Sequence, residues 1–147
     1  KERRTEGREP LDFATALRCE PERTAGEREK LLADPLYFSE AWDWHTYRRR
    51  GRYLEHLEPW LERFDRSQFL FLASEDLYRD PARTYRRTLE FLGLPPHALP
   101  DFKVYNDRRS APMEAELRAE LTEHYRPHNL ALQERLGMTF PWSGLPG

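Results

Sequence analysis

Residues 68–81 read QFLFLASEDLYRDP. Phe69, Leu70, Phe71 and Leu72 form an unbroken apolar run, whereas a strand with one wet face would alternate. A run of this kind reads as a strand covered on both faces, as in parallel sheets. Asp80 and Pro81 then open a helix. The aspartate offers an oxygen to a first-turn amide, and proline loses no bond there. Tyr85, Leu89 and Leu92 fall on one face of that helix, and Gly93 stands where a left-handed residue stops it. The order of helix, buried strand, short turn and helix predicts an α/β chain, mostly helical, with one clear buried strand. The sheet neighbours of that strand are not evident elsewhere in the sequence.

Outward from this stretch the pattern is helical. Upstream, Tyr53, Leu57, Trp60, Leu61 and Phe64 share a face. Pro59 removes a donor and crowds the turn before it at a cost of ~3 kcal/mol, which predicts a kink or two short helices. Asp12 is placed to cap a short helix carrying Phe13, Ala16 and Leu17, with Pro21 ending it. Glu27 to Ala33 forms a second, and Ser39 starts a helical turn in the aromatic-rich stretch 36–44. Downstream, Met113, Leu117, Leu121 and Tyr125 recur at helical spacing. Leu132 and Leu136 continue the stripe beyond Pro127, Gly137 closes it, and Trp142 adds an anchor. The length of 147 residues suits one domain, and no internal repeat is visible.

Bulk charge narrows the partners. The 24 basic and 26 acidic residues leave a net charge of −2, which gives no general grip on nucleic acid. No segment approaches the ~18 apolar residues of a membrane span. Cys19 is the only cysteine, so no internal disulfide can form, and a reducing cytoplasm fits.

Several side chains invite chemistry. His124 and His128 stand one helical turn apart, but Pro127 intervenes and no third ligand is placed, so no metal is expected. His45 reads as a surface or packing residue among aromatics and arginines. Arg48, Arg49, Arg50 and Arg52 read equally as a solvated face paired with Glu55 and Glu58, or as an edge facing an anion. Residues 94–112 form a long Pro-rich loop, and loops that long in compact domains are often functional. Arg108 and Arg109 lie in it just before a helix, so two guanidinium forks and a helix N-terminus can meet an anion. Phe102 and Tyr105 stand upstream to stack on a flat ring, although from pattern alone the loop reads more readily as solvated and pinned by its aromatics. No phosphate-cradling Gly-x-x-x-x-Gly-Lys-Ser/Thr loop and no nucleophile elbow occur, and no catalytic residue can be assigned.

The segment from Thr46 to Pro96 resembles the sulfotransferase family, most closely the branch of heparan sulfate sulfotransferases and their bacterial relatives. Gly51, Tyr53, Leu57, Trp60, Leu61 and Phe64 match the family's helix, and Gln68 and Leu70 its strand. Glu75, Leu77, Pro81 and the Phe91-Leu92-Gly93 ending match the helices that follow. Met113, Leu121, Tyr125, His128 and Asn129 match its last helix. The ordered set runs from about residue 8 to 142.

That resemblance implies the C-terminal portion of a P-loop nucleotide-kinase-like fold, with Phe69–Leu72 as a late strand of a parallel sheet. It implies sulfuryl transfer from 3′-phosphoadenosine-5′-phosphosulfate (PAPS) to a hydroxyl or amine on a small molecule or carbohydrate. Donor contacts are implied for Phe102 near the adenine and for Asn106, Arg108 and Arg109 of the basic loop. Asn106 and Asp107 stand where the family often has Lys-Gly. The family's Lys-x-Gly-Thr phosphosulfate segment, its 3′-phosphate motif and its usual base are not in this sequence. The expectation is therefore the C-terminal part of one domain, whose missing N-terminal half is its partner and which is inactive alone. The competing expectation is a non-catalytic helical scaffold.

Overall fold

The computed structural model describes residues 9–99, 101–103, 112–140 and 142. They belong to two compact units, one formed by Lys1–Tyr53 with Ser110–Asn129, the other by Leu54–Arg109 with Leu130–Gly147.

In the first unit α1 (Phe13–Arg23), α2 (Glu27–Ala33) and α3 (Glu40–His45) are followed by a 3-10 turn at Arg49–Gly51. Two polar caps start these helices. Asp12 accepts the Thr15 amide at 3.0 Å, and Ser39 accepts the Trp42 amide at 3.0 Å. Both α1 and α2 pack on α3. Ala16 and Leu17 of α1 are buried, and so is Leu117 of the last helix.

In the second unit α5 (Ser74–Arg79) packs on α6 (Pro81–Phe91). Asp80 caps α6 by accepting the Arg83 amide at 2.9 Å, with Pro81 in the first turn. Gly93, at φ +66°, ends α6 in the left-handed conformation while the Leu94 amide reaches the Leu89 carbonyl at 2.9 Å. Leu89 is buried as its spacing predicts, but Leu92 lies past the last turn and is exposed. The remaining helices, α4 (Tyr53–Leu61) and α7 (Ala115–Leu136), supply residues to both units.

The expected strand is not there. Among the described residues there is no strand at all, and the α/β expectation is corrected to a helical chain. The backbone at Phe69 is extended, with φ −117° and ψ 129°, but extension alone does not make a sheet. A strand exists through its hydrogen-bond ladder, and no ladder forms along residues 69–72 among the described residues. Their side chains are half-buried, not enclosed.

Pro21 and Pro59 also differ from expectation, whereas the last helix runs through Pro127 as its stripe predicts. Pro21, Pro59 and Pro127 all lie inside continuous helices, so α1 does not stop at Pro21 and α4 is not divided. All three are exposed. Each costs one amide bond, and on the wet side the freed carbonyl can turn to water.

No large side chain among the described residues is fully enclosed, and Leu36 is 93% exposed. Each local cap contributes alongside this thin core. Asp80→Ala is expected to lower stability by about 1 kcal/mol, read as a drop in midpoint on thermal unfolding, whereas Asp80→Asn should retain most of it.

Candidate functional site

Two places concentrate chemistry, one in each unit. In the second unit, α5, α6 and Phe102 line an open hollow of about 420 Å³. Its wall consists of Leu72, Ala73, Leu77 and Pro81 with the hydroxyls of Ser74, Thr84 and Thr88 and two rings, Tyr85 and Phe102. Two of those hydroxyls are already engaged by the helix itself, Thr84 on the Asp80 carbonyl at 3.2 Å and Thr88 on the Thr84 carbonyl at 3.0 Å. Phe102 stands edge-on to Tyr85, centroids 6.3 Å apart and planes at 70°. Among the described residues the lining carries no ionised side chain, which suits a flat apolar ring. Phe102 is the one donor-site residue among those singled out from sequence that the structure describes. Asn106, Arg108 and Arg109 lie outside the described residues, as does Tyr105.

In the first unit a polar cluster holds the 45–49 segment. Glu9 is 6% exposed and accepts from the Leu11 amide at 3.0 Å, Arg23 at 2.7 Å and the Tyr47 hydroxyl. His45 Nδ1 lies 3.5 Å from the same carboxylate, so this histidine packs against a buried acid. Burial pushes the Glu9 carboxyl up, but the bonds from Tyr47, Leu11 and Arg23 outweigh it and hold its pKa at about 2. Glu20, also 6% exposed, accepts the Arg48 amide at 2.7 Å and the Arg49 amide at 3.2 Å.

The basic run is thus neither a plain solvated face nor a free edge. Arg48 pairs with Glu120, Arg50 with Asp43, and the Arg49 guanidinium lies 4.9 Å over the Trp42 ring. Tyr125 of α7 donates to the Arg48 carbonyl at 3.0 Å. Burial and then the Glu20 charge keep the Tyr125 hydroxyl's pKa raised, so it stays a donor. A Cβ at Gly51 would meet the Tyr125 ring at 2.6–2.8 Å, so only glycine allows this approach. His124 and His128 have rings 5.6 Å apart, and no group of three or more potential ligands occurs among the described residues. Burial first, then Arg52, Arg48 and His128, lower the His124 pKa.

Glu9 and Glu20 have no mark in the sequence, because nothing in a chain with 26 acidic residues shows which two are buried. The tyrosine contact to the turn has a weak trace in the Tyr125 position of the apolar stripe.

A helical chain with a ring-sized hollow and an arginine-rich turn is the class that the geometry defines. The sulfotransferase domain family matches residues 24–124, and the chain belongs to that family. It is 31% identical over 118 residues to heparan sulfate glucosamine 3-O-sulfotransferase 3A1 of Mus musculus, covering 64% of this chain and 30% of that protein. It is 30% identical over 129 residues to mouse bifunctional heparan sulfate N-deacetylase/N-sulfotransferase 4, covering 67% of this chain and 15% of that protein. Identity to mouse heparan sulfate glucosamine 3-O-sulfotransferase 6 reaches 48% over 46 residues, 31% of this chain and 14% of that protein. The chain therefore spans about 30% or less of these curated relatives. No solved structure matches it. Among the described residues no helix is long and apolar enough to cross a membrane.

Two outcomes follow for the polar cluster. Glu9→Gln is expected to cost about 2 kcal/mol at neutral pH, because Arg23 loses its buried acceptor charge. The Glu9 pKa falls from 4.5 to about 2 on folding. Its contribution is therefore complete above the unfolded value and fades as pH drops through the folded one, so wild type and variant should converge in acid. Denaturant unfolding across that range checks this. Gly51→Ala should cost about 1–3 kcal/mol through its clash with Tyr125, and less in a Tyr125→Leu background.

Proposed function

We propose that this chain is the C-terminal part of a PAPS-dependent sulfotransferase domain acting on a hydroxyl or amine of a carbohydrate acceptor. Family membership over residues 24–124 supports the reaction class. The carbohydrate rests on relatives whose names specify heparan sulfate glucosamine. The observation that carries the donor side is Phe102, set edge-on to Tyr85 at a ring-sized apolar hollow.

The lining fits part of the donor. Phe102 and Tyr85 offer ring faces and edges to a purine, at a typical value of about 1–3 kcal/mol per stacked base. The described lining offers rings and hydroxyls and no cation, so the phosphate contacts are assigned to other residues. The loop arginines Arg108 and Arg109 are the anion contacts assigned to this chain by family resemblance. In the transfer the acceptor oxygen or nitrogen forms a bond to sulfur as the bond from sulfur to the phosphate oxygen breaks. The acceptor's proton passes to a base, and adenosine 3′,5′-bisphosphate leaves. That step needs in-line positioning, a base and charge stabilisation on the departing phosphate. This chain contributes the ring wall and the loop cations. The base and the phosphosulfate contacts belong to residues outside its sequence.

Two measurements test the reading. The chain alone should transfer no radiolabelled sulfate from PAPS to heparan sulfate, and turnover by the purified 147 residues would refute the assignment of the missing groups. Adenosine 3′,5′-bisphosphate should perturb the Phe102 and Tyr85 ring resonances, and Phe102→Ala should weaken that binding by about tenfold. Perturbation confined to other rings would remove the hollow from the donor site.

A further inference from the structure

The hydroxyls around the hollow are turned away from it. Thr84 and Thr88 stand one helical turn apart on α6 and share the face that lines it. Each donates its hydroxyl hydrogen to the helix backbone, Thr84 to the Asp80 carbonyl and Thr88 to the Thr84 carbonyl. With Oγ bound back along the helix, the methyl is the branch that each threonine offers to the hollow. Ser74 is engaged as well, its hydroxyl donating to the Glu75 carboxylate at 3.2 Å. Leu72 and Leu77 add aliphatic carbon, and Tyr85 and Phe102 add their rings. Among the described residues, methyl and ring carbon make up nearly all of the surface that reaches the hollow, and oxygen very little of it.

Such a wall treats the face and the edge of a heteroaromatic ring differently. The face gains by leaving water for carbon. The edge carries ring nitrogens and an amino or oxo group. Buried here, it would give up hydrogen bonds to water and find no free hydroxyl hydrogen on Ser74, Thr84 or Thr88 in return. The hollow is open, so the edge need not be enclosed. The favourable arrangement sets the ring face on carbon and leaves the polar edge in water.

We infer that the hollow holds a flat aromatic ring by its face, with the hydrogen-bonding edge left to solvent, and so does not distinguish one purine from another. Thr84 and Thr88 act as contact surface through their methyl groups and do not read the base. Where the ring is the base of the sulfuryl donor, the inference rests on the proposed activity.

The experiment follows the Phe102 and Tyr85 ring resonances in the full chain. It compares adenosine 3′,5′-bisphosphate with inosine 3′,5′-bisphosphate, which carries an oxo group in place of the amine. The two dissociation constants should agree within about twofold. Thr88→Ser keeps the hydroxyl and removes one methyl, so it should weaken both compounds alike, by about fourfold. A preference of about tenfold for either base, or a Thr88→Ser loss confined to one of them, overturns the inference. The preference is read on the wild-type chain, so misfolding of the variant would not obscure it. Indole, a flat ring without phosphates, separates this inference from the donor reading. Indole shifting both rings while neither bisphosphate does refutes the donor reading and upholds the ring site. No shift of either ring with any of the three compounds overturns the site itself.

Discussion

A single buried carboxylate organises the first unit. Glu20 reaches from α1 to the 48–49 backbone and takes two consecutive amides. Amides at the start of a 3-10 turn have no partner within it, so the turn depends on an acceptor from elsewhere. With the turn fixed, Arg48 presents its carbonyl to Tyr125, and Gly51 lets the tyrosine ring approach without a side chain in the way. α1, the arginine turn and α7 are thereby joined through one acid, one hydroxyl and one missing methyl.

The second unit is built differently, from rings. Trp60 stacks on Phe64 at 5.9 Å, Phe64 meets Phe69 edge-on at 6.4 Å, and Phe69 stacks on Phe71 at 5.9 Å. Arg66 covers Phe71 at 4.7 Å. This sequence-local ladder is what the apolar run does here. Phe69 and Phe71 sit two residues apart on an extended backbone, so they project to the same side and stack. Leu72, by contrast, faces the hollow beside Phe102.

Legibility in the sequence tracks the range of the interaction. Asp12, Ser39, Asp80 and Gly93 act within a few residues of themselves, and each is readable as a cap or a stop. Phe69–Leu72 misleads, because composition reports a tendency to extend, while a strand also needs a neighbour that composition cannot supply. Pro21 and Pro59 mislead as breaks, because the penalty of one lost bond says nothing of the packing around it. Pairings such as Glu9 with Tyr47 and Glu20 with Arg48 join distant segments, and no local pattern announces them. At the candidate site Phe102 is legible as an aromatic before a basic loop. Its partner Tyr85 is legible only as one member of a helix face, not as the wall of a hollow.

The thin enclosure of apolar side chains has a calorimetric counterpart. The heat-capacity increment of unfolding scales with apolar surface newly wetted, typically about 12–15 cal/mol/K per residue. Here Leu32, Leu36 and Phe38 already meet water at 68%, 93% and 66% of their surface, and Trp60 does so at 58%. Melting releases little more from them. These four side chains therefore add little to the heat-capacity increment or to the denaturant slope.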